Sequence, residues 1–247
     1  MTTTLSIIGF GAFGRFMASH LKDHFKVLAA DHLPIDDNTS RGLGVEPVTI
    51  DQAARADIVV FAVPVQGLGE ALRHAAPRLR PDAVVIDVCS VKIEPIDLML
   101  RLLPASCRII GLHPLFGPQS GRDGVAGLPV AFCPARADVS TSDRVRRFLE
   151  QALRLRVIDV SPDDHDRQMA YVQALTHFVS RAVGSLDLPR APLATRAYER
   201  FLAMKADLQN DSLDLFLTIE RHNPYAAQVR RELAASMAAW EHRIRPS

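Results

Sequence analysis

The stretch TLSIIGFGAFGRFMASHLKDHFKVLAAD, residues 4 to 31, leaves few folds open. Residues 5–8 are a short β-branched run. Gly9, Gly11 and Gly14 follow in G-x-G-x-x-G order, with Phe10, Ala12 and Phe13 among them. Phe16, Met17 and Leu21 then recur at helical spacing, and the apolar run 27–30 ends in Asp31. Strand, glycine turn, helix, strand and acid in that order form the fingerprint of a dinucleotide cradle. Gly9 permits the tight turn. Gly11 lets the backbone approach a pyrophosphate at the helix N-terminus, and Gly14 lets the helix pack close to the sheet. Asp31 stands where an acid accepts hydrogen bonds from both ribose hydroxyls and repels a 2′-phosphate. That charge favours NAD over NADP, while Arg41, further along, points the other way.

The α/β alternation continues. Apolar runs at 57–63, 83–87, 108–113, 127–134 and 155–160 read as strands. Pro64-Val65-Gln66 ends the strand at 57–63, and helices are expected after it to about Ala76, from the turn Cys89-Ser90-Val91-Lys92 to Leu103, and near 142–153. The continuous apolar run at 57–63 fits a strand buried on both faces, as a parallel sheet demands. In such sheets ligands bind beyond the carboxyl ends of the strands. Val63, Pro64, Val65, Ser90 and His113 all fall at such ends, so three strands aim candidate groups at one crevice. His113 is delivered by an apolar strand and followed by PLFGPQSG, whose prolines and glycines forbid regular structure.

After Val160 the strand pattern stops. Ser161-Pro162-Asp163-Asp164 is a strong helix start. In the helix that follows, Val172, Leu175, Val179, Ala182 and Leu186 mark an apolar stripe. Gln173, His177 and Arg181 form a polar stripe that suits a wet cavity. Further helices are expected near 194–209, with Ala197, Phe201, Met204 and Leu208 as the apolar face, from Asp211-Ser212 to 222, and onward to about 244 after the Asn223-Pro224 break. The fold class read from this is α/β: a Rossmann-like dinucleotide-binding domain at 1–160, followed by an all-helical substrate and dimerisation domain at 161–247. The helical faces are broader than one lobe can bury, so a homodimer through the C-terminal helices is expected.

Of 247 residues, 48% are hydrophobic and 23% charged, which argues against disorder. A net charge of +1 supplies no field for a polyanion, so no nucleic-acid partner is expected. Cys89, Cys107 and Cys133 form no CxxC pair, so neither disulfides nor a zinc knuckle is expected, and a reducing, cytoplasmic setting fits. His20 and His24 have metal-ligand spacing, but no third ligand is apparent and no metal is expected. Neither a signal peptide nor a membrane-spanning run is expected.

DVCSVK (87–92), GLHPLFGPQSG (111–121) and ALTHF (174–178), behind GFGAFG (9–14), resemble the prephenate/arogenate dehydrogenases of tyrosine biosynthesis. AYER and NDSLDLF, between 197 and 216, resemble the plant-type arogenate branch. The resemblance covers nearly the whole chain. It implies an oxidative decarboxylation in which a cyclohexadienol loses hydride to NAD(P)+ and its ring carboxylate as CO2. By resemblance, His113 takes the ring hydroxyl's proton, Ser90 orients that hydroxyl or the imidazole, and His177 and Ser120 line the substrate pocket beside Gln173. A neutral imidazole near pH 7 independently suits a general base. The two substrate carboxylates require a cation, with Arg122, Arg181, Arg196, Arg200 and Lys205 as candidates. An ammonium on the substrate would need an acid, Asp207 or Asp211 being conceivable. The plant enzymes carry small and basic residues where Asp31 and His32 stand here, which again favours NAD. No appended regulatory or chorismate mutase domain is expected. Three alternatives stand beside this reading. They are the same chemistry on a 4-amino-4-deoxyprephenate-type ring, a β-hydroxyacid-type dehydrogenase, and an NAD-sensing module without catalysis.

Overall fold

The computed structural model describes residues 3–189, 191–208 and 212–245, with 204–208 given as backbone alone. The glycine turn joins β1 (Thr4–Ile8) to α1 (Ala12–Leu21), and β2 (Lys26–Ala30) returns beside β1. Next come α2 (Asp37–Leu43), β3 (Glu46–Pro47), α3 (Ile50–Ala53), β4 (Ile58–Phe61), α4 (Val65–Ala75), β5 (Val84–Asp87), α5 (Ile93–Leu102) and β6 (Arg108–Pro114). β7 (Pro129–Arg136), α6 (Val139–Arg147) and β8 (Arg156–Asp159) complete one sheet in the order β3-β2-β1-β4-β5-β6-β7-β8. The first six strands have the order and parallel sense of a dinucleotide-binding Rossmann sheet.

Two features differ from expectation. The α2-β3-α3 stretch carries no signal that sequence periodicity can detect, because β3 has two residues and α3 four. Also, β7 runs antiparallel to β6. A parallel return needs a crossover, usually helical, and the proline- and glycine-rich chain between β6 and β7 supplies none. The expected helix near 142–153 is α6 followed by a π turn over Phe148–Ala152.

Both faces of the sheet are covered. On one side α3, α4 and α5 bury Phe61, Leu68, Leu72 and Met99 at 0% exposure. The spacing of Val65, Leu68, Leu72 and Ala75 gives α4 a single apolar face, as amphipathic packing requires. On the other side α1 and α6 pack over Ile7, Val60 and Phe132. Each such fully buried aliphatic or aromatic side chain contributes about 1.5–3 kcal/mol.

Contacts divide the chain into two compact units, Met1–His165 and Asp166–Ser247. A long helical stretch begins at α7 (Pro162–Met169), passes through a π turn at Ala170–Leu175, and continues as α8 (Thr176–Gly184). α9 (Arg196–Leu208), α10 (Leu213–His222) and α11 (Ala226–Ile244) follow. Ser212 caps α10 through its Oγ, which accepts from the Leu215 N–H. Asn223 ends α10 and braces two backbone groups, donating to Asp166 O and accepting from Tyr225 N–H.

The expected apolar stripe of the long helix is overturned. Val172 and Leu186 are 65% and 53% exposed. Ala170, Ala174, His177, Ser180 and Val183 are the buried positions. The π turn adds a residue to the helical count there, so the 3.6-residue phase used to assign the stripe does not hold across it. On α9, Ala197 is exposed and Phe201 37% exposed, while the side chains of Met204 and Leu208 lie outside the described residues.

Gly9 has φ +100°, and a Cβ there would lie 2.6 Å from Ala62 O. We expect Gly9→Ala to destabilise the protein by roughly 1–3 kcal/mol through backbone strain. A urea melt checks this, and an unchanged midpoint would contradict the tight β1–β4 approach.

Candidate active site

One row of the sheet organises the site. Ala30, Ile8, Phe61, Asp87 and Gly111 are successive ladder partners across β2, β1, β4, β5 and β6. Asp31, Gly9, Val63, Ser90 and His113 all lie one to three residues beyond that row. From β2 to β6 the row spans four inter-strand steps, about 19 Å at usual spacing. Five candidate groups are thus spread along one carboxyl edge over the length of an extended dinucleotide.

The cradle fits that ligand. A Cβ at Gly14 would sit 2.1 Å from Gly9 O, so α1 can approach the turn only with glycine there. A Cβ at Gly11 would meet nothing within 4 Å, which leaves backbone open on the outer side. α2, α3, α6 and α7 start with side-chain caps from Asp36, Thr49, Asp138 and Ser161. α1, α4 and α5, which follow β1, β4 and β5, have none. Their cap residues offer no side-chain acceptor, and a positive helix end of this kind suits an anion. Phe10, Ala12 and Phe13 fill the turn and the start of α1, while Pro64 holds the cap position of α4 and Val65 begins it.

Asp31 is tied to the same turn. Its Oδ2 accepts from the Phe10 N–H at 2.5 Å and its Oδ1 from the Leu33 N–H at 3.0 Å. His32 Nδ1 lies 2.8 Å from Asp31 Oδ1. Arg41 is turned back onto α2, donating to Asp37 O and Asn38 Oδ1. It forms no basic counterpart beside Asp31, which removes the feature that pointed to NADP.

His113 is 4% exposed at the end of β6. Its Nδ1 lies 2.9 Å from Nε2 of His165, itself 2% exposed. Burial pushes the His113 pKa well below the ordinary histidine value, and the charges of His165 and Lys92 push the same way. The ring is therefore neutral at physiological pH. Ser90 is half-buried beyond β5, and α5 begins at Ile93, so Ser90 does not serve as its cap.

Sequence reading missed what lies beneath His113. Lys92 and Asp87 are both 0% exposed and form an ion pair. The Lys92 ammonium also donates to Leu112 O at 2.7 Å, one residue before His113. Asp87 Oδ1 accepts from the Cys89 N–H at 3.0 Å. Burial raises the Asp87 pKa and Lys92 opposes that rise. The fixed acid-to-lysine spacing in DVCSVK was the available signal, since a lysine inside an apolar segment needs a partner. His165 carried none, because its partner lies 52 positions away.

The loop after β6 packs on α1. A Cβ at Gly121 would lie 2.6 Å from Phe16 Cζ, and the Phe16 and Phe116 rings are 6.2 Å apart. Ser120 is exposed, with its Oγ accepting from the Gly117 N–H at 2.9 Å. Arg122 is exposed and pairs weakly with Asp123. His20 and His24 each pack edge-on against a phenylalanine, Phe16 and Phe148. A cavity of about 900 Å³ lies over the sheet face between α1 and residues 144–155. Its walls are mostly apolar and include neither Asp31, Ser90 nor His113, so it is separate from this edge.

In the helical unit His177 is buried and Gln173 half-buried, with Gln173 Oε1 buried and unpaired. Arg181 lies over the Phe216 ring at 4.8 Å. Arg196 and Arg200 are exposed. Asp211 and the side chains of Lys205 and Asp207 lie outside the described residues.

The family model for the nucleotide-binding domain of prephenate dehydrogenase matches residues 17–158. The chain belongs to the prephenate dehydrogenase family. A second model, described as "TYRAAT1-like, C-terminal domain", matches residues 182–245 of the chain. Arogenate dehydrogenase 1, chloroplastic, of Arabidopsis thaliana is 30% identical over 91% of the chain and 36% of its own length. A 4-amino-4-deoxyprephenate dehydrogenase of Streptomyces pristinaespiralis is 30% identical over 77% of the chain and 65% of its own length. The chain therefore spans between about one third and two thirds of these relatives. Among solved structures, prephenate dehydrogenase from Aquifex aeolicus superposes with a TM-score of 0.78 at 23% identity, covering 98% of this chain and 91% of that one.

Lys92→Met would leave a buried carboxylate without its counter-charge. We expect a loss of about 3–5 kcal/mol in denaturant unfolding, with part recovered in an Asp87→Leu/Lys92→Met double variant. Equal stability of wild type and the single variant would contradict the pair.

Proposed function

We propose that this protein is an NAD-dependent dehydrogenase that oxidatively decarboxylates prephenate or arogenate, yielding 4-hydroxyphenylpyruvate or tyrosine. Family membership and the carboxyl-edge row support this reading. The observation that carries it is a buried, neutral His113 at the end of that row, with Ser90 following the neighbouring strand. Gly9, Gly11, Gly14 and the uncapped start of α1 would hold the pyrophosphate, and Asp31 would take the adenosine ribose hydroxyls. When bound, the nicotinamide accepts the hydride. His113 receives the proton of the ring hydroxyl on Nε2 as the C–H bond breaks. The ring carboxylate leaves as CO2, its bonding pair enters the ring, and the ring becomes aromatic. Ser90 orients the hydroxyl. Aromatisation supplies the driving force, so the residues need only position groups and move one proton.

We extend the proposal to Ser120, Gln173, His177 and Arg181 as substrate contacts. Gln173 carries an unsatisfied buried acceptor, which a ligand donor would satisfy. Arg200 is exposed and a weaker candidate for the carboxylate. A β-hydroxyacid dehydrogenase would use a lysine acid/base on the helical unit, whereas the imidazole sits at the strand end here.

We extend the reading to a cytoplasmic setting, which three free buried cysteines suit as a reducing compartment. No helix among the described residues is long and apolar enough to cross a membrane. A homodimer through the helical unit is supported by Val172, Leu186, Leu213 and Trp240, each more than half exposed on the single chain. Light scattering after size-exclusion chromatography should give twice the chain mass, and a stable active monomer would refute it.

The deciding experiment compares prephenate and arogenate, each with NAD+ and NADP+. NAD+ should be preferred, and no turnover with either ring would reject the reaction. His113→Asn should keep NAD binding and lose roughly 10²–10⁴ in kcat. Because the His113 pKa is depressed, kcat/KM should stay level as pH falls from 8 to about 6.5 and decline only below it. An acid limb above that value would place the base elsewhere.

A further inference from the structure

We propose that His165 is a positioning residue for His113, acting as the hydrogen-bond acceptor that fixes its tautomer. This inference rests on the reading of His113 as the base.

The two imidazoles meet at 2.9 Å through His113 Nδ1 and His165 Nε2, with the rings tilted at 66°. Both are almost fully enclosed, at 4% and 2% exposure. Two neutral imidazoles in such a contact must divide the roles, one donating and the other accepting. If His165 donated, His113 Nδ1 would be the acceptor and Nε2 would carry the proton. A base acting through Nε2 would then be blocked. For His113 to receive a proton on Nε2, its Nδ1–H must donate to His165 Nε2, and His165 must carry its own proton on Nδ1. The contact thus selects the working tautomer, as a buried carboxylate does in a serine hydrolase triad.

His165 is anchored by its own helix. It sits in the first turn of α7, its backbone N–H bonded to Ser161 O. Ser161 Oγ caps that turn by accepting from the Asp164 N–H and donates to Asp164 Oδ2. The charged and titratable groups facing His113 are Lys92 from the β5–α5 turn, with Asp87 bound beneath it, and His165 from α7. Lys92 opposes a cation on the His113 ring. When His113 takes the substrate proton, one bond forms at Nε2 and its Nδ1–H stays in place. The new imidazolium then donates a charge-assisted hydrogen bond to His165 Nε2.

A partner of this kind acts on the chemical step and not on cofactor binding.

Nitrogen-15 correlation NMR on the labelled wild-type protein at neutral pH should show His113 protonated at Nδ1 and bare at Nε2, with His165 protonated at Nδ1. The opposite tautomers overturn the proposal whatever the enzyme's substrate. His165→Leu should bind NAD+ as wild type by fluorescence titration and lose on the order of 10²-fold in kcat. His165→Gln, whose amide oxygen can accept the same hydrogen bond, should recover most of the rate. A Gln variant no better than the Leu variant overturns the proposal. If the Leu variant does not fold, the NMR assignment and the Gln variant still decide. Loss of turnover in His113→Asn with full turnover in His165→Leu rejects this inference and leaves the proposed reaction standing.

Discussion

An ammonium with no contact to water holds the working end of this sheet. Lys92 reaches from the turn after β5 to the Asp87 carboxylate and to the carbonyl of Leu112. It therefore ties the ends of two neighbouring strands together immediately below His113. A buried charge pair is a poor source of net stability but expensive to break. That asymmetry suits a site whose geometry must be single-valued. It also places a fixed positive charge beside the imidazole, which favours the neutral ring.

The electrostatics of the carboxyl edge follow from the same economy. Helices whose N-termini serve only the fold are capped by their own side chains, as at Asp36, Thr49 and Asp138. Those that open after β1, β4 and β5 are left without side-chain caps. Their amide groups carry partial positive charge toward the edge where Asp31 sits at one end and His113 at the other. Anion attraction, ribose selection and proton acceptance are in this way set out along a single ladder row.

How much of this could be read from the chain depended on sequence distance. The glycine cradle was legible because its requirements are local: Gly9, Gly14 and Asp31 act within one strand–helix–strand unit. His113 and Ser90 were legible as residues at strand ends. The His113–His165 contact was not, since nothing local marks which imidazole closes on another 52 positions away. The phase of the long helix was misread because periodicity assumes a uniform helix, and the π turn at Ala170–Leu175 breaks that assumption. The antiparallel β7 was hidden for a related reason. An apolar strand reads the same in either direction, and only the absence of a helix in the preceding loop announces the reversal.

That loop has one further property. Gly121 lies so close to Phe16 that a single added carbon would collide with the ring. The segment following His113 is thereby keyed to the helix that begins at the glycine turn. Changes in its length or composition must be absorbed after this anchor, between Arg122 and Leu128, where Gly124 and Gly127 already adopt left-handed backbone. The chain can vary its outer rim there while the distance from cradle to imidazole stays under the control of one glycine–phenylalanine contact.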